Sequence, residues 1–418
     1  METPKIEKPR LDRRIKRNLF LLTACQAVGQ SANSMMLAAT MLSVVTFYPH
    51  RDLAALPITM QHLGVMLWVF PANLLMQRMG RRFGFRVGSL FGMAGALTCA
   101  AGLYTENFPL MCLGGLILGY AVSCLQTYRF AAVEMVPQEF RSKAIGWVTS
   151  GGVAASMIGP AAADWSYDKL FPFYLGTYLC MVVVHVVVFT VMAFIEFPPP
   201  PKLPAASTAT PEERPRPLRV IASQPRFIAA VITAMVSYGT MSFLMGASPL
   251  AIVGCGLSQP VAHWVIFMHV MGMFLPSFFS GTLIQRFGVM RVMFAGAAVM
   301  LGGIAVALAG VGAWNFRIAL TMNGIGWNLL YVSATTLVTT CYRPWERAKA
   351  QAMNDFLIFG TTATASFMAG FLEVNWGWFP MNRLAIGIVM VAVTAVTWLS
   401  VQQWQERRAA LAPIRIGE

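Results

Sequence analysis

Polar side chains at helical spacing, set in apolar surroundings, are the chemical signal of this sequence. Gln26, Gln30 and Asn33 recur at i, i+4 and i+7, so one helix face carries three amides. Asn328, Tyr331 and Thr335 share a face far down the chain, with Asn323 and Trp327 close by. Gln126, Tyr128 and Arg129 form a third group, and Ser237, Tyr238 and Ser242 a fourth. An amide in hydrocarbon is expensive unless it is hydrogen-bonded, so these groups must face one another or a wet cavity. Such side chains bind a solute through hydrogen bonds and flat rings. Bond cleavage needs more, and no Walker loop, metal-spaced cluster or nucleophile–base–acid set accompanies them. Neither enzyme activity nor a cofactor is expected.

Charged and titratable groups within the apolar stretches are few. Arg129 has two readings, an anion-binding group or the partner of Glu134. Asp355 follows Asn354 about one turn into a helix. It reads either as an anion at a helix N-terminus, favoured by the dipole, or as a proton or gate carboxylate. His62, His263 and His269 are further proton candidates, because histidine titrates near neutrality. His269 lies in Met268-His269-Val270-Met271-Gly272-Met273, but with 28 methionines in the chain a metal site is not expected.

The surroundings are those of a membrane. Hydrophobic residues make up 57% and charged residues 11% of the chain, against roughly 25% charged in soluble domains; the mean hydropathy is +0.61. Twelve apolar runs are predicted as helices, over 18–45, 57–77, 87–104, 109–133, 144–164, 173–195, 226–252, 261–284, 292–311, 316–339, 350–372 and 381–403. They lack the alternation of barrel strands. The net charge of +14 invites nucleic acid, but most of the 31 lysines and arginines fall at one set of loop ends, such as Arg13 to Arg17, Arg78 to Arg86 and Arg214 to Arg226. That asymmetry puts both termini in the cytoplasm and argues for lipid, with no nucleic-acid partner. The seven cysteines read as small buried hydrophobes. Residues 196–225, opening on Pro198 to Pro201, read as a cytoplasmic linker, poorly ordered over 200–218. The predicted organisation is a basic N-terminus at 1–17, a six-helix half at 18–195, the linker at 196–225, a second half at 226–403 and a tail at 404–418.

The chain also repeats itself. Asn73-Leu74-Leu75-Met76-Gln77-Arg78-Met79-Gly80 and Gly281-Thr282-Leu283-Ile284-Gln285-Arg286-Phe287-Gly288 lie 208 residues apart, and at the same offset Gly64 matches Gly272. Arg141-Ser142-Lys143-Ala144 matches Arg347-Ala348-Lys349-Ala350 at an offset of 206. Two copies of one membrane unit form the architecture of secondary transporters, with the substrate between the copies. The segment from Gln77 through Arg78, Gly80, Arg81 and Arg82 resembles the loop 2–3 signature of the major facilitator superfamily. Gln285, Arg286 and Gly288 are its counterpart, and Gly159-Pro160 resembles part of the family's helix 5 signature. The likeness covers nearly the whole chain. Gln77 stands where the family has an aspartate that latches the cytoplasmic side, so the latch should be weaker or use Glu134, Glu139 or Asp355.

The resemblance implies an all-α membrane protein of twelve transmembrane helices in two pseudo-symmetric six-helix halves. It implies a cavity lined by the first, fourth, seventh and tenth helices. Gln26, Gln30, Asn33, Gln126, Tyr128, Arg129, Tyr238, Ser242, Asn328, Tyr331 and Thr335 are then the expected substrate contacts. His269 and Asp355 are the candidate proton groups, and the two arginine loops form the gate. The expectation is a monomer in a bacterial inner membrane. It moves a neutral or weakly charged organic solute, such as a vitamin, a nucleoside-like compound, a metabolite or a drug, with or without protons. The competing readings are an uncoupled facilitator and a non-transporting sensor or assembly protein of the same fold.

Overall fold

The computed structural model describes residues 11–50, 53–54, 56–199 and 215–411. Helices account for nearly all of them. The first half contains α1 (Arg13–Phe47), α2 (Leu56–Met79), α3 (Arg81–Tyr104), α4 (Phe108–Gln126), α5 (Tyr128–Glu134), α6 (Arg141–Ser166) and α7 (Leu175–Met192). The short α8 (Leu218–Ala222) leads into the second half. There follow α9 (Pro225–Gly254), α10 (Gln259–Phe274), α11 (Ser277–Phe287), α12 (Val289–Leu308), α13 (Ala313–Val338), α14 (Arg347–Trp376) and α15 (Trp378–Leu411).

Among the described residues, eight helical segments are long and apolar enough to cross a membrane, or nine if the bent pair α10–α11 is one span. Helices α1, α6 and α13, of 35, 26 and 26 residues, are long enough but fall outside that set. Gln26, Gln30 and Asn33 in α1, and Asn323 and Asn328 in α13, are the polar residues that lower their hydropathy. Counted with these three, the described residues are consistent with the twelve helices expected.

Two of the predicted helices are broken. The fourth stops at Thr127, whose hydroxyl donates to the Cys124 carbonyl at 2.7 Å, and resumes as α5. The eighth bends by 41° between α10 and α11, where Pro276 has no amide proton to continue the ladder. The Asn328 amide covers this break, donating to the Met273 carbonyl at 2.7 Å and to the Ser277 hydroxyl at 2.5 Å. Two other ends differ from expectation. Helix α15 runs past 403 to Leu411. Of the linker, residues 200–214 lie outside the described residues. The remainder is held: Arg216 donates to both oxygens of Glu346 at 2.9 and 2.6 Å.

The sequence repeat is a structural repeat. Gly80 and Gly288 join α2 to α3 and α11 to α12 at φ 88°, ψ 160° and φ 85°, ψ 154°. That region of backbone space is open to glycine and almost nothing else. Gly64 and Gly272 show the second shared device. A methyl on Gly64 would lie 2.4 Å from the Leu116 carbonyl oxygen of α4, and one on Gly272 would lie 2.5 Å from that of Thr321 in α13. Small residues let helix backbones touch, the main source of adhesion where lipid tails are as apolar as the helices. Gly272→Ala forces backbone apart and is expected to destabilise by about 1–3 kcal/mol. A thermal melt of the purified protein in detergent that matches wild type would refute this role.

Candidate functional site

The two halves meet along a ladder of polar contacts that starts at the basic end of the bundle. The first rung is doubled by the repeat. Gln77 donates its amide to the Trp345 carbonyl at 2.7 Å, and Gln285, its counterpart, donates to the Glu139 carbonyl. Above them, Glu134 holds Arg81 at 2.7 Å and Arg347 at 2.8 Å. Arg81 also reaches Gln351 Oε1 at 2.8 Å, and Gln351 in turn donates to the Tyr342 hydroxyl at 2.7 Å. Arg347, Gln351 and Asp355 lie at i, i+4 and i+8, so one face of α14 meets the first half throughout.

Asp355 forms the deepest charged rung. Its Oδ1 lies 2.5 Å from Arg129 Nη2, with Arg129 4% and Asp355 0% exposed. This corrects the expected Arg129–Glu134 pair. The two residues are five positions apart on one helix, hence about 140° apart around it, and Glu134 is turned toward Arg81. It also corrects the reading of Asp355 as a surface anion. The Arg129 guanidinium lies 4.5 Å from the Phe130 ring centre and 4.6 Å from that of Tyr331. Its Nη1 donates to the Gln126 carbonyl at 2.7 Å and to Gln126 Oε1 at 3.2 Å. Asn354 donates to Asp355 Oδ1 at 2.8 Å. Among the described residues, Arg129 Nε and Asp355 Oδ2 have no partner.

Aromatic rings surround the pair on the second-half side. Trp327 stacks on Tyr331 with centres 5.1 Å apart and planes 20° apart. Tyr238 meets Trp327 at 5.2 Å, Tyr331 at 4.9 Å and Phe359 at 5.7 Å, all at steep angles. Phe274 borders Trp327 at 5.8 Å. The Tyr331 hydroxyl reaches across to Gln126 Oε1 at 3.5 Å. Flat rings, one cation, one anion and two amides in a buried layer can grip a planar, hydrogen-bonding solute.

Of the expected substrate contacts, Gln126, Arg129, Tyr238 and Tyr331 therefore converge, together with Asp355. The contacts of the others are different, and those of Gln26 and Gln30 involve a Cβ and a backbone carbonyl rather than their amides. Tyr128 turns to the core of the first half, 4.6 Å from the Phe85 ring. Gln26 lies against Gly151 of α6, and the Gln30 carbonyl accepts from Ser34. Asn33 borders a small cavity of the first half with Gln61, Ser89 and His185. The Ser242 hydroxyl lies 3.9 Å from the Met241 sulfur. Asn328 clamps the α10–α11 break, and Thr335 is buried with no hydroxyl partner among the described residues. His269 is fully buried, with Nδ1 2.7 Å from the Leu320 carbonyl of α13. In the gate loops, Arg82 donates to the Ile195 carbonyl at 2.9 Å, Arg286 lies over the Phe287 ring and Arg78 is exposed. Sequence reasoning missed Phe274, Phe359, Gln351 and Asn354. The i, i+4, i+8 spacing on α14 was the signal for Gln351; the phenylalanines carry none in an apolar chain.

A bundle of long apolar helices, an internal two-fold repeat and a polar, aromatic layer between the halves define a transporter. The chain belongs to the Major Facilitator Superfamily, whose family model matches residues 19–253. It is 37% identical over 379 residues to the riboflavin transporter RfnT of Brucella anthropi, covering 90% of this chain and 94% of that one. An uncharacterized transporter of the family from Bacillus subtilis, YdeG, is 23% identical over 395 residues, 92% of each chain. Among solved structures, the transporter FucP in its outward conformation superposes with a TM-score of 0.75 at 16% identity, over 93% of this chain and 99% of that one.

Two outcomes are expected of this geometry. Asp355→Asn leaves the Arg129 charge buried without its counter-ion, at a cost of about 3–5 kcal/mol. The double variant Arg129→Gln/Asp355→Asn removes both charges and should recover most of that loss in a denaturation series; equal destabilisation of the two would contradict the pairing. At the first rung, Gln77→Asp restores the residue typical of the family but no longer donates to a carbonyl. It is expected to loosen the latch by about 1 kcal/mol, seen as several-fold faster amide exchange in loop 341–347. Slower exchange would mean that the aspartate latches better.

Proposed function

We propose that the protein carries riboflavin or a closely related flavin across a bacterial inner membrane by alternating access. The observation that carries this reading is the layer in which Trp327, Tyr331 and Tyr238 surround the Arg129–Asp355 pair. An isoalloxazine ring is flat, aromatic, neutral and edged with donors and acceptors, and this layer offers a matching surface for each property. The name of the 37% identical relative points to the same solute. The halves at 18–195 and 226–403, joined by the linker at 196–225, rock about the layer as one chain acting alone. The basic end faces the cytoplasm, following the charge asymmetry.

Gln77, Gln285, Arg81 and Glu134 close that end, so the layer opens toward the other side while the ladder is intact and toward the cytoplasm when it parts. Asp355 is the carboxylate best placed to carry a proton, because it sits on a rung that must break in every cycle. His269, bonded to Leu320 away from that rung, is the weaker candidate.

Purified protein in proteoliposomes is expected to exchange external for internal riboflavin at equal pH, and to accumulate it under an imposed pH gradient. Asp355→Asn should abolish accumulation, whereas His269→Gln should keep it. Vesicles that hold riboflavin no faster than empty ones would overturn the flavin reading. Exchange without gradient-driven accumulation in wild type would make the protein a facilitator.

A further inference from the structure

The polar atoms left unused on the central ion pair narrow the solute to one recognition edge. Arg129 has three donor nitrogens. Nη1 is taken by Gln126 and Nη2 by Asp355, while Nε has no partner. Asp355 has two oxygens. Oδ1 receives both Arg129 and Asn354, while Oδ2 has no partner. Among the described residues one donor atom, Arg129 Nε, and one acceptor atom, Asp355 Oδ2, remain without a partner, one on each half of the molecule. Rings on either side fix the guanidinium plane, with Phe130 at 4.5 Å and Tyr331 at 4.6 Å.

Charge decides which solute can replace the Arg129–Asp355 bond. An anionic group would pair with Arg129 and strand the buried Asp355 carboxylate. A cationic group would strand Arg129 instead. A neutral edge with an N–H beside a C=O satisfies both, since the carbonyl accepts from Arg129 and the N–H donates to Asp355. Both new bonds are charge-assisted, so neither charge is left without a hydrogen-bond partner.

We propose that the Arg129–Asp355 pair reads the N–H/C=O edge of a neutral cyclic imide or lactam, while Tyr331 and Trp327 take the face of the same ring. In riboflavin that edge is the pyrimidine side of the isoalloxazine, with N3–H between two carbonyls. The proposal rests on the flavin reading above. It makes the pair an empty-state lock whose bond the solute replaces with one bond to each residue, so a carrier without solute keeps its halves joined.

The test is binding to purified protein, followed by flavin fluorescence, with riboflavin and 3-methylriboflavin as probes. Methylation removes the N3 donor and keeps the ring and the ribityl chain. Wild type is expected to bind the methyl compound about tenfold or more weakly, the loss that follows from removing a hydrogen bond to a charged group. Asp355→Ala has no acceptor left to disappoint and should bind the two probes within about twofold of each other. Where that variant folds poorly, Arg129→Gln/Asp355→Ala removes the stranded charge and should show the same lost preference. Tyr331→Ala should weaken both probes alike and leave their ratio at the wild-type value. Equal binding of the two probes by wild type overturns the proposal, as does a wild-type ratio in the Asp355 variants. Failure of wild type to bind riboflavin at all sinks the flavin reading and the edge assignment together, an outcome distinct from binding without preference.

Discussion

A buried ion pair shared between two bodies sets the terms for the rest of this molecule. Arg129 and Asp355 are buried, so each charge is tolerable only while the other is near. Within one rigid domain such a pair is weak evidence of stability. Between two halves of one chain, it opposes their separation. Parting the halves at this level would strand both charges unless something replaced each partner. The rungs closer to the basic end are not bound by that rule. Arg81, Glu134 and Arg347 form a triad that includes a half-buried carboxylate, and water can reach it as the loops loosen.

The pair can meet only because the helix backbones bring it together. Gly64 against Leu116 and Gly272 against Thr321 fix how closely α2 and α10 approach α4 and α13. The break at Thr127 starts a new helix just before Arg129, and the bend at Pro276 is held by Asn328 on α13, one turn before Tyr331. Each irregularity therefore stands next to a side chain of the central layer. The polar atoms freed by each break are satisfied inside the protein rather than in lipid, as unbroken spans require of every such gap.

Much of the architecture was legible in the sequence, because apolar runs, loop charges and a 208-residue repeat each follow from one-dimensional rules. Gly80 and Gly288 were visible as repeated residues and prove to share one backbone conformation. The site was legible only in part. The polar stripes named the right helices, and Gln126, Arg129, Tyr238 and Tyr331 do converge. Direction around a helix was harder. Tyr128 and Arg129 are adjacent, hence about 100° apart, so one faces the core of its own half while the other faces the opposite half. Partners at a separation of 226 residues, as for Arg129 and Asp355, carry no local signal at all. The break at Thr127 has no proline to announce it.

The glutamines of the two gate loops show why a motif must be read as chemistry. Taken as a defective aspartate, Gln77 implies a weak latch. In place it donates to a backbone carbonyl, which a carboxylate cannot do, and Gln285 repeats the bond at the pseudo-symmetric position. Their acceptors, Trp345 and Glu139, lie 206 residues apart and open the corresponding helices α14 and α6. An amide-to-carbonyl bond is neutral, so it adds nothing to the charge of a surface already crowded with arginines, and salt screens it little. The charged work is moved inward to Glu134, where two arginines from opposite halves share one carboxylate. Closure of the basic end thus divides into a neutral outer pair that follows the repeat and a charged inner cluster that breaks it. Only the inner cluster leads, through Gln351 and along one face of α14, to the Arg129–Asp355 pair.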